Sequence, residues 1–216
     1  MSLVSNLFLL FVAASILIYY IVPRKSQWIV LLIFSYLYYI AGGPRYVVFI
    51  LFSTLVTWLM ALLIEKAEGK ENHKGARKLL ILGLILNFGM LGIVKYTNFA
   101  VENINALLHL NLRGIQLLLP LGISFYTFQS SGYLLDVYWK RCKAERHPLK
   151  YALFVSFFPQ ILQGPIGRYS RLADQLYAEH RFEGNNIIRG FERILWGFFK
   201  KMILADWAAV FADAIF

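Results

Sequence analysis

An all-α, polytopic membrane protein is the fold class this sequence predicts, and three observations predict it. First, 59% of its 216 residues are hydrophobic and only 16% are charged, where soluble domains run nearer roughly 45–50% and 25%. Burying so much apolar side chain in one small core would leave too little polar surface to face water. Second, the apolar residues fall in runs approaching the roughly 20 residues a helix needs to cross a bilayer core of about 30 Å. Third, the excess of 22 Lys+Arg over 12 Asp+Glu sits mostly in short gaps between those runs. A soluble globular enzyme, a disordered tail and a coiled coil are thereby excluded. The basic residues speak for membrane orientation, and nucleic acid is not an expected partner.

The elements follow in order as one integral-membrane domain over 1–216. Leu3–Val22 carries no charge. Without a basic segment ahead of it or a small-x-small cleavage site before Pro23, it reads as a retained span. Trp28–Ala41 is shorter and needs tilt or flanking residues, Tyr46–Ile64 is a full span, and Leu79–Val94 is a marginal one. Leu117–Trp139 is long enough but contains Pro120, Gln129 and Asp136. Leu149–Gln163 is short and is broken by Pro159 and then Gly164-Pro165. Glu65–Lys78 reads as a solvated charged loop, and Tyr96–Leu112 as an outer loop or an interfacial helix.

Arg24 and Lys25, then Lys66 to Lys78, then Lys140 to Lys150 supply basic connectors after the first, third and fifth spans. The alternate connectors carry only Arg45, Lys95 and Arg113. The positive-inside rule therefore puts the N-terminus outside and the three basic connectors in the cytoplasm.

Three polar patterns interrupt this frame. Gly122, Tyr126, Gln129, Tyr133, Asp136 and Lys140 recur at spacings of three and four, which puts them on one helix face. They either hydrogen-bond neighbouring helices, with Asp136 meeting Lys140 or Arg141, or line a polar tunnel. The second pattern runs from Phe157 to Arg168, with Pro159, Gln163, Gly164, Pro165 and Gly167. Such a stretch cannot form an uninterrupted spanning helix. A broken or re-entrant segment and a helix ending at a Gly-Pro turn both satisfy it. The third is an amphipathic helix over about 187–204, with Phe191, Ile194, Leu195, Phe198, Phe199, Met202 and Ile203 on one face. Arg193, Lys200 and Lys201 can meet headgroups, so its expected role is interfacial anchoring.

Cys142 is the single cysteine, so no disulfide framework exists. His73, His109, His147 and His180 are isolated, with no paired metal spacing, and no metal site is expected.

The run Leu119-Pro120-Leu121-Gly122-Ile123-Ser124-Phe125-Tyr126-Thr127-Phe128-Gln129, continuing through Tyr133 and Asp136, resembles a signature of the membrane-bound O-acyltransferases. The similar branch contains the alginate O-acetyltransferase membrane subunit and the D-alanine transfer protein. Phe157-Phe158-Pro159-Gln160 with Gly164-Pro165-Ile166 and Arg168 resembles its second motif, and Gly197-Phe198-Phe199-Lys200-Lys201 with Asp206 its third. The resemblance implies transfer of an acyl group, commonly acetyl, from a cytoplasmic thioester donor to a hydroxyl of an extracytoplasmic polysaccharide such as alginate. The donor would be acetyl-CoA or an acyl carrier protein, used as substrate with no bound cofactor. A bacterial cytoplasmic membrane is the implied location, and a partner acetyltransferase subunit an implied associate.

In that family the essential histidine lies in a later apolar segment, and none of the four histidines has its context. The chain is thus expected to be the N-terminal part of a longer protein, inactive alone and without a catalytic residue of its own. Gly122, Tyr126, Gln129, Tyr133, Asp136, Gln163, Gly164, Pro165 and Arg168 are the expected lining residues. The reading from another class is a non-catalytic conduit or a docking subunit for a separate transferase.

Overall fold

The computed structural model describes residues 6–108, 120–161, 164 and 166–215, and these are helical with no strand among them. They form two compact units, 1–179 and 180–216. In the first, α1 (Asn6–Ile21), α2 (Gln27–Gly42) and α3 (Val47–Gly69) overlap the first three apolar runs of the sequence. α4 (His73–Leu108) follows, then α5 (Ile123–Tyr138), α6 (Pro148–Ser156), α7 (Phe158–Ile161) and α8 (Tyr169–Tyr177). Pro44–Gly69 and His73–Leu108 are long and apolar enough to cross a membrane, and Asn6–Ile21 is a shorter apolar helix. Outward-facing Leu10 and Ile21 are 67% and 73% exposed, an apolar surface of the kind lipid covers.

Two expectations need correction here. The charged stretch after the third span is not a solvated loop, because α3 continues to Gly69 and α4 starts at His73. The turn between them is made by Glu71 at φ 57° and by Asn72, whose Oδ1 accepts from the Gly75 N–H at 2.9 Å. That is an N-cap bond, and it explains how so charged a stretch stays helical to its ends. Likewise Tyr96–Leu108 is neither a loop nor a separate helix but the continuation of α4. The rest of that segment, and Leu117–Leu119 of the fifth predicted span, lie outside the described residues.

α3, α4 and α5 pack on one another, and α2 packs on α6. The α3–α4 contact holds a buried polar cluster. Ser53 Oγ donates to Asn87 Oδ1 at 2.6 Å, and Asn87 Nδ2 donates to Thr57 Oγ1 at 3.0 Å and Gly83 O at 2.9 Å. Such bonds bind helices where apolar contact alone discriminates little against lipid.

The break between α6 and α7 falls at Phe157, ahead of Pro159. Proline's ring clashes with the carbonyl four residues back, so α6 stops before it. The break parts the Phe158 N–H from the Phe154 carbonyl, and both of these find partners. Phe158 N donates to Ser35 Oγ of α2 at 3.2 Å, and Phe154 O accepts from Gln129 Nε2 of α5 at 3.0 Å.

The second unit contains α9 (Gly184–Phe199), a π-helical stretch over Lys200–Ala205, and α10 (Asp206–Ile215). None of its described side chains is buried.

Candidate functional site

α5 begins at Gly122, whose φ is +68°. A β-carbon there would lie 2.4 Å from the Ile161 carbonyl oxygen of α7. Glycine is therefore required twice, for the left-handed backbone and for the close approach. α5 ends with Lys140 at φ 58°, Arg141 N donating to Asp136 O at 2.8 Å and Lys140 N to Val137 O at 3.0 Å. This is a Schellman motif with lysine in the left-handed position.

Between these ends the predicted face divides. Gly122 and Tyr126 belong to the packed interior, Tyr126 being fully buried. Gln129, Tyr133 and Asp136 reach a pocket of about 260 Å³, completed by Gly132, Trp139, Arg141, Ile166, Gly167, Arg168 and Tyr169. The pocket thus brings together the C-terminal half of the α5 face and Arg168, which is far away in sequence. Gly164 is not one of its lining residues; its N–H bonds Gln160 O at 3.1 Å in the turn that closes α7. Gln163 and Pro165 lie outside the described residues.

Charges around the pocket are distributed unevenly. Asp136 meets Arg141 at 3.6 Å, while Lys140 turns away to Glu68 at 3.1 Å. Glu68 also pairs with His73, and the His73 contact, followed by the Lys140 ammonium, holds its carboxyl below the usual range. Arg168 is exposed and has no ion-pair partner among the described residues.

Sequence reasoning missed the residues that set the shape of the Cys142–His147 connector. Glu65 of α3 accepts from the Ala144 N–H at 3.1 Å and pairs with Arg146. Glu145 receives bonds from three directions: Trp58 Nε1 to its carbonyl at 2.8 Å, Tyr169 OH to Oε2 at 2.6 Å and His147 N to Oε1 at 2.8 Å. A signal existed, since Glu145 is the only acid between Asp136 and Asp174. Burial, then the Asp136 and Glu65 carboxylates, pushes the Cys142 thiol up to about 11. Burial, then Tyr177 and the accepting Glu145 carboxylate, raises Tyr169 well above the ordinary phenol range.

A larger groove of about 470 Å³ between α2, α3 and α6 is apolar and carries no charged group. His73 is exposed on Glu68, and His147 packs edge-on to Trp28 at 5.4 Å. No described histidine lines the charged pocket, and no group of acids, histidines and cysteine among the described residues could hold a metal.

The described residues thus combine two helices long and apolar enough to cross a membrane, an exposed apolar surface and a charged pocket at one end of a polar helix face. Comparison with known proteins gives the family. The chain is 34% identical over 219 residues to the "Probable alginate O-acetylase AlgI" of Pseudomonas syringae pv. tomato, covering 98% of this chain and 41% of that protein. It is likewise 34% identical over 220 residues to the protein of that name in Pseudomonas aeruginosa, again 98% and 41%. The "Peptidoglycan O-acetyltransferase" of Helicobacter pylori is 34% identical over 212 residues, covering 86% of this chain and 39% of that protein. The chain belongs to the membrane-bound O-acyltransferase family. It spans about 40% of the length of the curated relatives it matches. No family model matches it, and no solved structure does.

Proposed function

We propose that the chain holds the donor side of an O-acetyltransferase. It takes acetyl from a cytoplasmic thioester and passes it toward a hydroxyl of an extracytoplasmic polysaccharide such as alginate. The observation that carries this reading is the pocket joining the α5 face to Arg168. Acetyl-CoA and an acyl carrier protein both present the thioester on a phosphopantetheine arm, a phosphate followed by a flexible, mostly uncharged chain. An exposed guanidinium with no carboxylate partner among the described residues suits the phosphate, and the Tyr133 and Gln129 wall suits the arm.

No described histidine lines that pocket, and in this reading its residues bind and orient the donor. The general base that deprotonates the acceptor comes from elsewhere, and the 216 residues alone are inactive. In this reading the protein is a multi-pass protein of the bacterial cytoplasmic membrane with its N-terminus outside. The α6–α7 break is re-entrant, α9 lies amphipathic in the interface, and a partner acetyltransferase subunit or the polysaccharide itself accepts the acetyl group.

The test is binding of acetyl-CoA, and of a short acetyl thioester lacking phosphate, to the purified protein in nanodiscs. Arg168→Ala should weaken acetyl-CoA binding by about tenfold, the scale of one charge-assisted contact, and leave the short thioester unaffected. Equal binding of acetyl-CoA by both proteins, or solute flux through proteoliposomes without donor binding, would overturn the reading.

A further inference from the structure

We propose that Glu145 is the positioning residue of the charged pocket, setting its depth through two tyrosines without touching the donor. This rests on the donor-binding reading above. Tyr133 and Tyr169 stand side by side in the pocket wall with ring centroids 4.7 Å apart. Their hydroxyls end on the same residue: Glu145 N donates to Tyr133 OH at 2.8 Å, and Tyr169 OH donates to Glu145 Oε2 at 2.6 Å.

Glu145 is not among the residues lining that pocket; it faces a second one of about 380 Å³, on the far side of Tyr169. It therefore acts on the first pocket only through the two rings. The residue is itself fixed to a third helix, because its carbonyl accepts from Trp58 Nε1 of α3. One residue thus gathers α3, α5 and α8, and the distance between α5 and the Arg168–Tyr169 turn is set where it sits. Releasing the carboxylate lets Tyr169 turn and takes the neighbouring Arg168 with it, while the α5 wall stays in place.

The carboxylate chemistry makes the role specific. Its two oxygens accept from two donors, Tyr169 OH and His147 N–H. Glutamine in this place offers one oxygen, and its amide group would face one of the two donors with another donor. Aspartate is one methylene too short to span both.

The experiment compares wild type, Glu145→Gln, Tyr169→Phe and the double variant in the full-length protein. Tyr169→Phe keeps the ring and removes only the hydroxyl. The expected result is a rise of about tenfold in KM for acetyl-CoA with kcat within about twofold, alike in both single variants and no larger in the double. Additive losses, or a fall in kcat at constant KM, would show that Glu145 serves general folding and would overturn the proposal.

Amide hydrogen exchange on the same proteins separates this inference from the functional reading. Glu145→Gln should speed exchange over 166–173 and leave the middle of α5 unchanged. If wild type transfers no acetyl group, the functional reading fails and exchange alone decides: faster exchange confined to 166–173 keeps Glu145 as the positioning residue, and unchanged exchange removes it.

Discussion

The two ends of α5 carry the same periodic pattern of polar and small residues, yet they do opposite things. At the N-terminal end Gly122 lets a backbone carbonyl come against it and Tyr126 is sealed in the core. At the C-terminal end Gln129, Tyr133 and Asp136 face a pocket bounded by two arginines. The spacing of three and four places residues on one face, but it does not say what stands opposite that face. Another helix stands opposite the first half. The stretch 166–169 stands opposite the second and leaves room. Polar side chains along a membrane helix therefore describe a cavity only over the length that no neighbour fills.

The largest effect expected is at the closed end. Gly122→Val should cost more than about 3 kcal/mol, since it adds left-handed strain for a β-branched residue to a clash with a backbone oxygen. Thermal unfolding in detergent reads this directly. A loss near 1 kcal/mol would mean that only strain matters, and the close approach separating the two ends would go with it.

At the open end Gln129 has two roles, as pocket wall and as partner of the Phe154 carbonyl freed by the helix break. Gln129→Leu leaves that buried carbonyl without this bond and should cost about 2 kcal/mol. Ser35→Ala, which removes the other bond to the break, should cost less, because the Phe158 N–H bond is the longer at 3.2 Å. The double variant should lose less than the sum, since both bonds hold one feature. Full additivity would mean that the two bonds act independently and the break is not a single unit.

The connector beyond α5 sharpens the contrast, because its one thiol reports how closed it is. Cys142 is half-buried, and its thiol is pushed up to about 11 from an ordinary value of 9.0 by burial and by Asp136 and Glu65. The thiolate fraction near pH 8 falls by about a hundredfold, partly offset by the greater nucleophilicity of a more basic thiolate. Maleimide labelling should thus run about tenfold slower than for a free thiol, and Glu65→Gln should speed it. Labelling at the free rate would show the connector to be open.

The helices of the first unit were legible because apolar run length and basic gaps mark spans without reference to their neighbours. Leu3–Val22, Trp28–Ala41 and Tyr46–Ile64 correspond to α1, α2 and α3 within a few residues. The ends were not legible, because charge was read as loop. Glu68 of α3 holds His73 of α4 and Lys140 at the end of α5, and Asn72 caps α4, so charged residues extend the helices. Among the residues that line the charged pocket, Gln129, Tyr133, Asp136 and Arg168 stand out in the sequence by periodicity or by motif. Glu145 does not, because in a basic connector a lone acid looks like noise, and Glu65 does not, because it is one of several charges in a stretch expected to be a loop. The role of Glu145 depends on Trp58, Tyr133 and Tyr169, which lie 87, 12 and 24 residues away, and that of Glu65 on Ala144 and Arg146, 79 and 81 residues away.

The smallest effect belongs to the exposed end of that same network. Glu68 carries a lowered carboxyl pKa, its largest cause being the His73 contact and the Lys140 ammonium adding to it. A carboxyl with a depressed value in the folded protein stabilises above the usual carboxylate range and loses that contribution as pH falls through the folded value. Its partners are 66% and 65% exposed on their side chains, so solvent screening holds the pair energy below about 1 kcal/mol. Glu68→Gln should lower stability slightly at pH 7, and the difference should shrink as pH falls through the folded carboxyl's lowered value. Added salt should erase the difference at pH 7. A large, salt-resistant loss would instead make the α3–α4 turn a buried electrostatic joint, and the charged residues at these helix ends would then belong to the core.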